Sequence, residues 1–304
     1  MKPAIEKKRI HVSYGNIAYL ETGSKDKPPV LFVHGIPTSG YLWRHVLRFL
    51  QNDFHCYAPD LMGLGDTEVD PVRTSLDMDT QAEMLVEFMA ALGHESFGLV
   101  CHDQGGAAAL IIAARLPDKI RCLVLTDCVC YDNWPVPVIA RLQRFARLPL
   151  LPELAFRARL FHLLEQRTPL SSLRRGMYDG RRLTNAAIAE YLRPLTAGRA
   201  ARERFRGFLL AGSPVYTQRA VAGLRRFDRP TLVIWAAEDR YLSPSWGRRL
   251  AEEIPGAQRR FELVPFCGHF WQEERPAEFV ALMGEFLSEH AAGDEATTEA
   301  HEDD

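Results

Sequence analysis

Apolar and polar positions alternate along residues 10–22, with Ile10, Val12 and Tyr14 on one side of Gly15-Asn16 and Ile17 and Tyr19 on the other. That pattern predicts a hairpin at a sheet edge. Beyond it the rhythm changes to short continuous apolar runs at 28–33, 55–58, 97–101, 121–126, 230–235 and 260–264. Runs of this length predict strands buried on both faces. Between them lie stretches with helical periodicity, predicted over 41–50, 78–92, 107–115, 245–253 and 276–290. In the second of these, Met78, Ala82, Leu85, Phe88, Met89 and Leu92 share one face. Strands alternating with helices predict an α/β fold with a mainly parallel central sheet and helices on both faces.

The alternation breaks at residues 130–226, which contain no clear strand. Helical pieces are predicted there over Val138–Arg147, Pro152–Leu164, Asn185–Leu192 and Arg199–Leu210, together forming an α-helical lid inserted into the fold. The expected organisation is a first core part at 1–129, the lid at 130–226, a second core part at 227–290 and an acidic tail at 291–304. The tail lacks large apolar residues and is expected to be disordered.

Composition narrows the functional classes. A net charge of −2 over 304 residues gives no reason to expect a nucleic-acid partner. No run approaches the ~18 apolar residues of a membrane span, and the charged N-terminus does not read as a signal peptide. A cytoplasmic protein acting on a small molecule, as a monomer or homodimer, is expected. The six cysteines show no Cys-x-x-Cys and no metal-ligand spacing, so they read as reduced thiols. No metal and no cofactor is expected. Residues 130–226 hold eighteen arginines, no lysine and six acids, whereas 289–304 hold seven acids and no Lys or Arg. Solvated helix faces account for this; attraction of an anionic substrate, or of the tail itself, is the sharper alternative.

The chemistry centres on Leu99-Val100-Cys101-His102-Asp103-Gln104-Gly105-Gly106. An apolar strand, a tight polar turn and a small-residue helix form the layout of a nucleophile elbow, with Asp103 at the nucleophile position usually held by serine. Three other segments sit at strand ends. Asp239, in Trp235-Ala236-Ala237-Glu238-Asp239, supplies an acid. His269, in Cys267-Gly268-His269-Phe270, supplies a base. His34-Gly35-Ile36-Pro37 supplies backbone N–H groups. Asp127, ending another strand, is the alternative acid. The order nucleophile, acid, histidine is that of one fold.

Residues 10–290 resemble the α/β-hydrolase fold, and within it the aspartate-nucleophile branch of haloalkane dehalogenases and soluble epoxide hydrolases. The segment Ile36-Pro37-Thr38-Ser39-Gly40-Tyr41-Leu42-Trp43-Arg44 resembles dehalogenases. His102-Asp103-x-Gly-Gly resembles both groups, and Cys267-Gly268-His269 resembles epoxide hydrolases. The resemblance implies an alkyl ester on Asp103, hydrolysed by water that His269 activates while Asp239 orients the imidazole. Backbone N–H groups of Ile36 and Gln104 would form the oxyanion hole.

An aspartate with an ordinary pKa of ~3.9 is ionised at neutral pH and can attack a saturated carbon without a base. Where the dehalogenases carry Asn and Trp as halide donors, this chain has Ile36 and Gln104. The favoured activity is therefore epoxide hydrolysis. A dehalogenase with an atypical halide site at Gln104 and a non-catalytic ligand-binding protein are the alternatives. Epoxide hydrolases protonate the opening ring with lid tyrosines, for which Tyr178 and Tyr191 are the candidates. Gln104, Tyr178, Tyr191 and Trp271 are the expected substrate contacts. His34 and His102 read as structural.

Overall fold

The computed structural model describes residues 5–148 and 160–292. Eight strands form one sheet: β1 (Lys7–Val12), β2 (Gly15–Thr22), β3 (Pro29–Val33), β4 (His55–Pro59), β5 (Phe97–Asp103), β6 (Ile120–Cys128), β7 (Thr231–Ala236) and β8 (Phe261–Val264). Their order is β1-β2-β4-β3-β5-β6-β7-β8. The β1–β2 and β2–β4 pairings are antiparallel and the rest of the sheet is parallel. The continuous apolar runs became the interior strands: every residue of β3, β4, β5 and β7 is buried. The edge strands β1 and β8 keep exposed positions. In the opening hairpin the turn falls at Ser13-Tyr14, and Gly15-Asn16 already belongs to β2, pairing with Val12 and His11.

Helices cover both faces of the sheet. They are α1 (Arg44–Leu50), α2 (Met78–Ala91), α3 (Gly105–Arg115), α10 (Pro244–Glu253) and α12 (Pro276–His290), with the short α11 (Trp271–Glu274) before the last. Asp77 caps α2 by accepting from Thr80 N at 2.9 Å, satisfying one of the free N–H groups of its first turn. In α3 every residue from Gly105 to Ala113 is buried. Its glycines and alanines bring the helix axis close to the sheet, which fixes the height of Asp103 just before it. Enlarging one of these alanines would overpack the layer at a typical cost of ~1–3 kcal/mol.

Between β6 and β7 the described residues contain helices and no strand: α4 (Pro137–Ala146), α5 (Leu160–Arg167), α6 (Ser172–Arg175), α7 (Asn185–Thr196), α8 (Arg199–Ala211) and α9 (Val215–Leu224). Residues 152–159 of the helix expected at Pro152–Leu164 lie outside the described residues, as do 293–304 of the tail. The sequence pattern does not reveal α6 or α9. The second of these buries Ala220 and Leu224 and packs on α3, so tertiary contact rather than local periodicity makes it a helix. Much of the arginine excess is tied down. Arg193 pairs with Asp66 and Glu190, Arg219 with Asp79, and Arg225 with Glu253, while Arg174 donates to Gly180 O and Leu183 O. No helix among the described residues is long and apolar enough to cross a membrane.

Candidate active site

Asp103 ends β5 with φ 50°, a left-handed conformation that aspartate tolerates better than most side chains. The register of β5 against β6 shifts between His102 and Asp103, which turns the carboxylate out of the sheet. Oδ1 accepts from Ile36 N at 2.8 Å, and the backbone N–H of Gln104 also donates to this carboxylate. The two N–H groups of the expected oxyanion hole thus converge on one side chain. Gly35 makes the approach possible: a Cβ there would lie 2.0 Å from Asp103 Oδ1 and 2.5 Å from Gln104 N.

His269, on the loop after β8, places Nε2 3.4 Å from Asp103 Oδ2. Its Nδ1 lies 2.8 Å from Asp239 Oδ2, and Asp239 Oδ1 accepts from Tyr241 N at 2.7 Å and Leu242 N at 3.0 Å. Burial disfavours a charged imidazole, but Asp239 first, then Asp103, overcome it and raise the His269 pKa well above the ordinary histidine value. Burial likewise opposes ionisation of Asp103, and the His269 hydrogen bond and charge reverse that, lowering its pKa below the ordinary range. Each of the two groups thus favours the charged form of the other.

Asp127 occupies a different place. Its Oδ2 accepts from Trp271 Nε1 at 2.8 Å and Thr126 Oγ1 at 2.7 Å, and its Oδ1 from Ala236 N at 3.0 Å. Burial, and next the charge of Asp239, push its carboxyl well above the usual carboxylate range. The group on the imidazole is Asp239. His102 is fully buried, donates Nε2–H to the His269 carbonyl at 2.8 Å and is depressed to about 3, mainly by burial. His34 is depressed to about 4 for the same reason and bridges Gly35 O and Leu61 N. Both rings are neutral supports of the loops that carry the site.

A cavity of about 530 Å³ opens above Asp103. Its floor is Ile36, Pro37, Asp103, His269 and Phe270. Its walls come largely from the helices between β6 and β7, with Val136, Ile139, Leu142, Phe145, Leu173, Leu192 and Phe205 among them. Three of the four expected substrate residues lie elsewhere, and the fourth offers no side chain there. Tyr191 is buried with its hydroxyl on Glu273, because its helix face points at the core rather than into the cavity. Tyr178 is exposed and packs edge-on against Phe266. Trp271 is fully buried, its indole turned down onto Asp127 and Thr126. Gln104 contributes its backbone N–H, but its side chain does not line the cavity and its Oε1 is buried without a hydrogen-bond partner among the described residues.

The tyrosine among the described lining residues is Tyr241. Its ring stands edge-on to His269 at 5.3 Å between centroids, and its hydroxyl donates to Ser172 O at 2.5 Å. Burial raises its pKa above the ordinary tyrosine value, so the phenol keeps its proton. Its position two residues after Asp239 is the signal by which the sequence could have marked it. Glu165 also lines the cavity, but Ser171 Oγ, Ser172 N, Ser172 Oγ and Leu173 N all donate to it. Arg141 lines the exposed rim.

A family profile described as alpha/beta hydrolase fold matches residues 28–276. The chain is 25% identical over 282 residues to Epoxide hydrolase 3 of Xenopus tropicalis, covering 89% of this chain and 74% of that protein. It is 27% identical over 276 residues to Haloalkane dehalogenase 2 of Mycobacterium tuberculosis, covering 89% and 91%. Among solved structures, a putative ancestral haloalkane dehalogenase, AncHLD2, aligns with a TM-score of 0.76 at 27% identity over 93% of this chain and 98% of that one. The epoxide hydrolase CorEH shares the fold with a TM-score of 0.75 at 24% identity, covering 94% and 99%. Sheet order, elbow and family profile agree: the chain is an enzyme of the α/β-hydrolase fold family, in its epoxide hydrolase and haloalkane dehalogenase-like branch.

Proposed function

We propose that the protein hydrolyses a carbon–heteroatom bond of an apolar small molecule through an ester on Asp103, and that the bond is the C–O bond of an epoxide. The observation that carries this reading is a carboxylate held by two backbone N–H groups at the floor of an apolar cavity, with His269 and Asp239 behind it. Asp103 attacks the epoxide carbon, and the C–O electron pair moves to the departing oxygen, which takes the Tyr241 hydroxyl proton. Protonated His269 gives a proton back to the phenolate, and the neutral imidazole then removes a proton from water, which adds to the ester carbonyl. The N–H groups of Ile36 and Gln104 hold the oxyanion. Collapse releases the diol.

The helices of 130–226 act as a lid that excludes bulk water from the first step. The leaving group is assigned from the polar groups present. A halide needs N–H donors in the cavity; the Ile36 side chain has none and that of Gln104 lies outside it. An epoxide oxygen needs one O–H donor, and Tyr241 supplies it by turning onto the ring oxygen the hydroxyl that rests on Ser172 O.

Single turnover in ¹⁸O-water with enzyme in excess tests the covalent step. The first product should carry unlabelled oxygen while the label appears in the peptide containing Asp103. Label in the first product instead would replace the ester by direct attack of water. A substrate panel then reads the leaving group, and halide release from bromoalkanes as fast as diol formation would overturn the epoxide assignment.

The two steps should also differ in pH dependence. The Asp103 pKa lies below its ordinary value, so ester formation should be flat across pH 5–9. Hydrolysis needs neutral His269. Esterification removes the charge of Asp103 and lowers the imidazole pKa from its raised resting position, so the hydrolysis rate should rise with pH to a plateau. A hydrolysis rate that falls as pH rises would exclude His269 as the base.

Exchanging each candidate acid for its amide separates their roles. Asp239→Asn should slow turnover by up to about 10⁴-fold, the cost of turning the buried acid of a catalytic triad into an amide. Asp127→Asn should leave the rate within about threefold but cost ~1–3 kcal/mol of stability, because its amide opposes buried donors. The reverse ranking would move the acid to Asp127.

A further inference from the structure

Glu274 is buried, and three main-chain N–H groups from two distant segments converge on its carboxylate. Gly268 N donates to Oε2 at 2.9 Å, Tyr178 N to Oε2 at 3.0 Å and Asp179 N to Oε1 at 2.7 Å. Its own carbonyl accepts from Arg182 Nη1 at 2.8 Å. A buried carboxylate is tolerated where such donors replace water, and bonds of this kind are among the stronger ones in a protein.

The two segments have separate functions. Gly268 immediately precedes His269. Tyr178 and Asp179 follow α6, whose first residues, Ser172 and Leu173, line the cavity. They also touch directly. A Cβ on Gly268 would lie 2.5 Å from Gly176 O, from Met177 C and from Tyr178 N, so the lid backbone rests on the backbone of the histidine loop. The preceding residue, Glu273, grips the same boundary further along, pairing with Arg44 of the core at 2.5 Å and accepting the Tyr191 hydroxyl of the lid.

We propose that Glu274 is a positioning residue for the hydrolytic half of the reaction: it fastens the His269 loop to the lid, so that the base is held where lid and substrate meet. The proposal rests on the reading of His269 as the base that activates water. Ester formation depends on Asp103 and its two N–H donors, none of which Glu274 touches. Hydrolysis depends on the aim of His269, and a small displacement of an oriented group is enough to slow a step severely. Loss of Glu274 should therefore divide the two steps, whereas general loosening of the lid would slow both.

The test is single-turnover mass spectrometry of the full chain with one epoxide, comparing wild type, Glu274→Gln, Gly268→Ala and His269→Gln. Glutamine retains the shape of the side chain but turns an NH₂ toward donors. Ester formation should stay within about threefold of wild type and ester hydrolysis should fall about 10–100-fold, so that ester accumulates although His269 is intact. Gly268→Ala parts the same contact from the other side with Glu274 unchanged, should give the same division, and decides the question if Glu274→Gln does not fold. Unchanged hydrolysis, or equal slowing of both steps, in a folded variant overturns the proposal. Absence of ester on Asp103 in His269→Gln overturns the covalent reading beneath it, and this proposal with it.

Discussion

Asp103→Asn is expected to abolish turnover, by more than about 10⁴-fold, the scale seen when the central group of a catalytic unit is removed. The variant should still fold. Asparagine is among the side chains that accept a positive φ, so the elbow at φ 50° is retained. Its carbonyl oxygen can accept from Ile36 N where Asp103 Oδ1 does now. What disappears is the anionic nucleophile, since a neutral amide oxygen does not displace an alkoxide from carbon. The charge that helps to raise His269 disappears with it, so the imidazole should titrate at lower pH than in wild type. Three readings check this: rate, ester by intact mass, and the His269 titration by NMR. A variant that keeps substantial turnover with a folded thermal transition would show that Asp103 is not the nucleophile.

Such a prediction is available because the elbow is a local object. An apolar strand, Asp103 and a run of glycine and alanine are contiguous, and their order alone places a carboxylate at the head of a helix. The alternation of runs and helices was equally readable, since each buried strand carries its own apolar signature. Choosing between Asp239 and Asp127 was not a local question. Both end interior strands, and what separates them is Trp271, whose indole reaches Asp127 from 144 residues away. Where the lid tyrosines point is not a local question either. Helical periodicity says that Tyr191 lies on a buried face, but not whether that face meets the cavity or the core; Glu273 and Arg44 decide it. Tyr241 stands two residues after Asp239 in the sequence, but its place beside His269 exists only once β7 and β8 are paired.

His269→Gln is expected to stop the cycle halfway. Removal of a general base typically costs about 10²–10⁴-fold, and here the loss should fall almost wholly on the second step. Asp103 needs no base to attack; the variant removes the His269 charge that favours its ionised form but keeps the Ile36 and Gln104 N–H donors on the carboxylate, so the ester should still form. Glutamine can fill the space between Asp103 and Asp239 but cannot accept a proton from water at neutral pH. The ester should therefore build up to about one equivalent per chain, on the peptide containing Asp103, even where loss of the His269 charge slows its formation. The mass of the adduct names the leaving group. An epoxide adds its whole mass, because the departing oxygen stays attached, whereas a bromoalkane adds its mass less hydrogen bromide. A fast adduct from the epoxide and none from the bromoalkane supports the assignment of Tyr241 over a halide site. No adduct from either, in a folded protein whose wild type turns the same compounds over, would remove the covalent mechanism altogether.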